Sequence, residues 1–164
     1  RISPDWTSKV NDMKTILQRG KEVQEQINIL GDDGVPVEYH LTFWKSEVID
    51  FVILQQDAFD KIDSVCPIER QEYMLNLVMD ICHSDFKFNG FLEVMDYFKK
   101  VINSCKQMNY CEFHSDKFEK YVAEVKAISD YISPIYGGKG AVRDVIEQVM
   151  KVQGNWEEDD TQSI

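Results

Sequence analysis

The sequence predicts an all-α fold, a bundle of five to six helices. Three observations carry this expectation. Apolar residues recur at three- and four-residue steps along most of the chain, and the breaks between those stretches are rich in Gly, Pro, Asp and Asn. No alternating run of strand type competes, and there is no internal repeat.

Trp6, Val10, Met13, Leu17, Val23, Ile27 and Leu30 mark one face of a first helix over about 5–30, with Ser3, Pro4 and Asp5 ahead of it. The segment GDDGVP from Gly31 to Pro36 then reads as a tight acidic turn, because each of its residue types disfavours continued helix. A second helix follows over about 38–56. Pro67 suits the first turn of a third over about 67–83, since its missing N–H would have had no helical partner. Phe91, Met95, Phe98, Val101, Ile102 and Cys105 mark a fourth, after Asn89 and Gly90. Ser115 and Asp116 cap a fifth that carries Phe118, Tyr121, Val125, Ile128 and Ile132. Val142, Val145, Ile146 and Val149 suggest a sixth, so residues 1–154 read as one helical domain and 155–164 as a frayed acidic tail.

A length of 164 residues with 43% hydrophobic content suffices for a sizeable core. The net charge of −11 repels polyanions, which argues against nucleic acid and favours a basic partner. The four cysteines, Cys66, Cys82, Cys105 and Cys111, read as reduced cytosolic thiols in a chain this long. No apolar run reaches the roughly 18 to 20 residues of a membrane span, and RISPDWTSK lacks the order of a signal peptide. A start on Arg1 leads us to expect a segment of a longer protein.

The chain offers little chemistry of its own. GGKG at Gly137–Gly140 resembles a phosphate loop only in part: Ser133 stands where the first glycine belongs and Gly140 where a hydroxyl belongs, so a helix linker is the better reading. Cys105, Cys111 and His114, with Cys82 and His83, lack the paired spacing of a zinc site. Glu157, Glu158, Asp159 and Asp160 lack the alternating ligands of a calcium loop. Asp57, Asp60 and Asp63, with no basic or histidine neighbour evident, read as helix-end and cap residues. We therefore expect no catalytic residue and no metal site.

One stretch is unusual. LQQDAF, Leu54 to Phe59, follows the apolar run FVIL and places a polar hexapeptide with an aromatic tip where buried helix would be expected. Extended to LQQDAFDKIDSVCPIERQEYML, Leu54 to Leu75, it resembles the catalytic A subunit of V-type and A-type rotary ATPases near its C-terminus, where that family runs much like LQQNAFDEVDTYCPLEKQYLML. The segment ILGDDGVPVEYHLT, Ile29 to Thr42, is similar to ILGMDELSEEDKLT of the related F-type subunit, sharing Ile29-Leu30-Gly31, Asp33 and Leu41-Thr42. The resemblance covers roughly residues 5–85. Asp57 departs from the family's usual Asn, and Val52-Ile53 from its Asp-Phe.

The resemblance implies a helical C-terminal domain below a nucleotide-binding domain that supplies the P-loop and the Mg²⁺ site. It implies that Gln56, Ala58 and Phe59 form part of the adenine pocket wall of the full-length subunit. The competing reading of Phe59 is a core plug. It further implies that the acidic turn, through Asp32, Asp33 and Glu38, faces the central rotating stalk, and that the B subunits of the catalytic hexamer are neighbours. ATP and Mg²⁺ would then belong to the full-length subunit, which would couple ATP synthesis or hydrolysis to proton or sodium transport. Its place would be cytoplasmic, reaching the membrane only through the complex. A stand-alone acidic interaction domain is the alternative.

Overall fold

The structure, a computed structural model, describes residues 3–136. Five α-helices, α1 (Trp6–Leu30), α2 (Val37–Ile49), α3 (Ile68–His83), α4 (Phe91–Asn109) and α5 (Asp116–Tyr136), account for the bundle, and no strand occurs among the described residues. The suggested sixth helix, GGKG and the acidic tail lie outside the described residues.

The apolar faces read from spacing become the core. Val48 and Ile49 of α2, Leu77, Val78 and Ile81 of α3, Phe98 and Val101 of α4, and Phe118 and Val125 of α5 are buried together. Helix α1 is more peripheral. It packs along α2, and of its apolar residues only Met13 is buried. Gly20 is buried on the same helix because α2 passes directly over it at Ser46. Helix α4 packs between α2 and α5.

The helix ends follow local chemistry. Ser115 accepts a hydrogen bond from the Phe118 N–H at 3.2 Å, satisfying one of the free donors that open α5. Pro67 immediately precedes α3, and its carbonyl accepts from the Gln71 N–H at 3.0 Å. Gly31 ends α1 at a φ of 80°, a left-handed conformation that glycine adopts without a Cβ penalty.

The second helix departs from its expected span of 38–56. Regular α-helix stops at Ile49 and a π turn, Asp50–Leu54, follows it. The Asn109 amide of α4 donates to the Val52 carbonyl at 2.8 Å, and the Gln55 N–H bonds to the Asp50 carbonyl at 2.9 Å, five residues back. This widened turn ends the helix before Gln55, so Gln55 and Gln56 lie in a loop.

Candidate functional site

The loop that starts at Gln55 has its own hydrogen-bond framework. The Gln55 side chain turns back to the Asp50 carboxylate at 2.8 Å. Gln56 donates from Nε2 to the Asp63 carbonyl at 2.5 Å, and the Asp57 N–H donates to Asp63 Oδ2 at 2.6 Å. Asp57 in turn accepts from the Phe59 N–H at 2.9 Å, a local turn that Asp forms readily. Asp60 repeats the device, accepting from the Ile62 and Asp63 N–H groups at 2.8 and 2.9 Å.

Phe59 at the tip is 97% exposed. It is no core plug. Leu54, Val65 and Ile68 are exposed around the same loop, so this end of the bundle presents an apolar surface. A cleft of about 210 Å³ opens beside it, bounded by Trp6 and Val10 of α1, the Val52–Gln56 segment and Asn109. Gln56 and Ala58 are also exposed, so all three residues expected to border a base stand on one open loop.

The expectation that Asp57, Asp60 and Asp63 have no basic neighbour is overturned by Arg70. Its side chain is fully buried and reaches Asp63 Oδ1 at 3.5 Å, while Asp63 itself is 5% exposed. The guanidinium also donates to the Cys111 carbonyl at 3.1 Å, to Cys66 Sγ at 3.2 Å and to the Ile62 carbonyl at 3.4 Å. Asp57 and Asp60 serve as turn-forming acceptors, as cap residues do, whereas Asp63 joins the loop to a buried cation. The only sequence signal for the pair was a seven-residue separation interrupted by Pro67.

The acidic turn lies at the other end of α2. Asp32 and Asp33 occupy a short 3₁₀ turn, Asp32–Gly34, and Glu38 the first turn of α2, all three exposed. His40, which sequence reasoning did not single out, is buried beneath them. Its Nε2 lies 2.9 Å from the Asp32 carbonyl and its ring stacks on Phe91 at 5.0 Å. Ile29 and Leu30, 80% and 59% exposed, flank the acids. The 13 residues of α2 separate the turn from the loop by about 20 Å at the usual helical rise.

The cysteines do not gather. Among the described residues no group of three or more His, Cys, Asp or Glu side chains is placed to hold a metal. Burial pushes the Cys82 and Cys105 thiols up to about 12. His83 instead meets Asp12 at 2.5 Å and His114 meets Glu119 at 3.3 Å. No helix among the described residues is long and apolar enough to cross a membrane.

Fold and loops together define an all-α domain that displays two unlike loops, one with an exposed aromatic tip and one an acidic turn, at opposite ends of a single helix. The chain belongs to the C-terminal domain family of V and A type ATP synthases, whose family model matches residues 1–87. It is 34% identical to the V-type ATP synthase alpha chain of Protochlamydia amoebophila over 123 residues, 75% of this chain and 21% of that one. The corresponding chain of Borrelia duttonii is 34% identical over 113 residues, 69% and 20% of the two chains. That of Treponema denticola is 32% identical over 113 residues, 69% and 19%. The chain thus spans about a fifth of the length of the curated relatives it matches.

Proposed function

We propose that this domain serves the catalytic subunit of a V/A-type ATP synthase by bordering the adenine pocket with Gln56, Ala58 and Phe59 and by contacting the central rotor with Asp32, Asp33 and Glu38. The observation that carries this reading is the exposure of Phe59, 97%, on a loop whose backbone is nevertheless tied down by Asp57 and Asp63. A large aromatic held in water with a fixed backbone costs hydration free energy with no return inside the domain. A flat base stacked on it would recover that cost.

The donor set fits only the base end of a nucleotide. Loop 55–60 presents an aromatic ring, side-chain amides and carboxylates, and a carboxylate cluster repels phosphates. The phosphate and Mg²⁺ contacts therefore fall to the nucleotide-binding part of the parent subunit. The B subunits of the hexamer and the central stalk are the partners of this arrangement. Helix α2 would be the strut between them, carrying displacement between rotor angle and pocket closure in coupling ATP turnover to proton or sodium transport.

Phe59→Ala in the full-length subunit tests the reading. Removal of a stacked aromatic should weaken nucleotide binding by up to about 1 to 3 kcal/mol. Maximal turnover should fall less than affinity, because the ring touches no reacting atom. Unchanged affinity in a stably assembled complex would refute the base contact.

A further inference from the structure

We propose that Arg70, acting through Asp63, is the positioning residue that fixes the pose of the 55–59 loop. The inference rests on the adenine-wall reading for its functional consequence, and on hydrogen bonds within this chain for its mechanism. Phe59 is almost wholly in water, so no core contact holds the loop tip. What holds it is a relay. The Phe59 N–H bonds to Asp57 Oδ1 at 2.9 Å, the Asp57 N–H to Asp63 Oδ2 at 2.6 Å, and Asp63 Oδ1 lies 3.5 Å from the Arg70 guanidinium. Gln56 joins the same node through the Asp63 carbonyl at 2.5 Å.

Arg70 anchors this node to parts of the domain that do not belong to the loop. Its Nε donates to Cys66 Sγ just ahead of α3, and its Nη1 to the Cys111 carbonyl in the link between α4 and α5, 41 residues away in sequence. Stability alone would not require a cation here, since an apolar side chain of similar size often serves a buried site as well or better. A planar fork that donates in several fixed directions does what such a side chain cannot: it sets the orientation of Asp63, and Asp63 sets the loop.

The test uses the full-length subunit in its assembled complex, with Phe59→Ala, Arg70→Met, Asp63→Asn, the double variant Arg70→Met/Phe59→Ala, and Arg70→Lys as the conservative control. Arg70→Met keeps the volume and removes the fork, Asp63→Asn breaks the relay from the other side, and Arg70→Lys, which keeps a cation for Asp63, should stay near the parent. The KM for ATP should rise about tenfold in Arg70→Met with kcat within about twofold, and should rise no further when Arg70→Met is added to Phe59→Ala. Hydrogen exchange at the Asp57 and Phe59 amides should accelerate in both relay variants. Multiplicative effects of Arg70→Met and Phe59→Ala would overturn the proposal while leaving the adenine wall intact. Should Phe59→Ala leave KM unchanged, the wall reading falls and amide exchange decides alone: accelerated exchange supports the hold of Arg70 on the loop, and unaltered exchange overturns it.

Discussion

Gly20 of α1 and Ser46 of α2 meet so closely that a β-carbon on Gly20 would overlap both Cβ and Oγ of Ser46. Ser46 has no room to yield. It is 7% exposed, and its hydroxyl donates to the Phe43 carbonyl at 2.7 Å. Gly20→Ala should therefore destabilise the domain by about 1 to 3 kcal/mol through overpacking, even though alanine favours helix over glycine by about 1 kcal/mol. Adding Ser46→Gly should restore much of the loss. Thermal unfolding followed by circular dichroism reads both variants, and a Gly20→Ala domain as stable as the parent would show that α1 and α2 pack less closely.

Much of this fold was legible because the apolar stripes of α3, α4 and α5 are local patterns. Leu77, Val78 and Ile81 lie where a 3.6-residue period puts them, and Pro67 and Ser115 stand immediately ahead of their helices. What sequence did not show was imposed from a distance. The π turn depends on Asn109 reaching Val52 across 57 residues, and the role of Arg70 on Cys111 across 41. Gly20 sits inside an otherwise ordinary helical pattern, and its reason is the passage of α2 directly above it. Among the candidate site residues, the polarity of LQQDAF did announce a departure from buried helix. The exposure of Phe59 follows from where the π turn ends, which no local pattern encodes.

Shortening the acidic turn by deleting Asp32–Gly34 should lower torque or coupling in the assembled complex while leaving nucleotide affinity within about twofold. The turn and the loop stand at opposite ends of α2, about 20 Å apart at the usual helical rise. Single-molecule rotation with normal torque would count against a rotor-facing turn.

Two half-buried carboxyls give stability a definite pH trend. Burial raises Glu47 above its ordinary 4.5, with Asp50 adding to the shift, and burial raises Asp80 above 3.8. The native state then binds protons more tightly than the unfolded chain. These two groups accordingly destabilise the fold at neutral pH, and that penalty is released as pH falls through each raised value towards the ordinary one. Glu47→Gln and Asp80→Asn should each raise the melting temperature at pH 7, with the gain vanishing once the pH is below 4.5 for Glu47 and below 3.8 for Asp80. A gain that persists at lower pH would point to a cause other than the buried charge.

The thiols should separate by accessibility. Cys82 and Cys105 are buried, with thiols pushed up to about 12, and burial raises Cys111 as well. Cys66 is half-buried at the loop. Alkylation of the native protein at pH 8 should mark Cys66 first and reach the others only on unfolding, because the thiolate is the reactive form. Peptide mass mapping showing Cys82 or Cys105 labelled as fast as Cys66 would contradict the packing of α3 and α4.

That Phe59 meets the adenine base is tested most directly by placing a fluorophore at its position. Phe59→Trp preserves a flat aromatic at a site 97% exposed, so it should leave folding undisturbed, and the unsubstituted complex supplies the baseline. In the assembled full-length complex, ATP should change the emission of the added tryptophan saturably, over the concentration range that supports turnover. Emission identical with and without saturating ATP, in a Phe59→Trp complex that still turns over, would place residue 59 away from the nucleotide and contradict the proposed function of the loop.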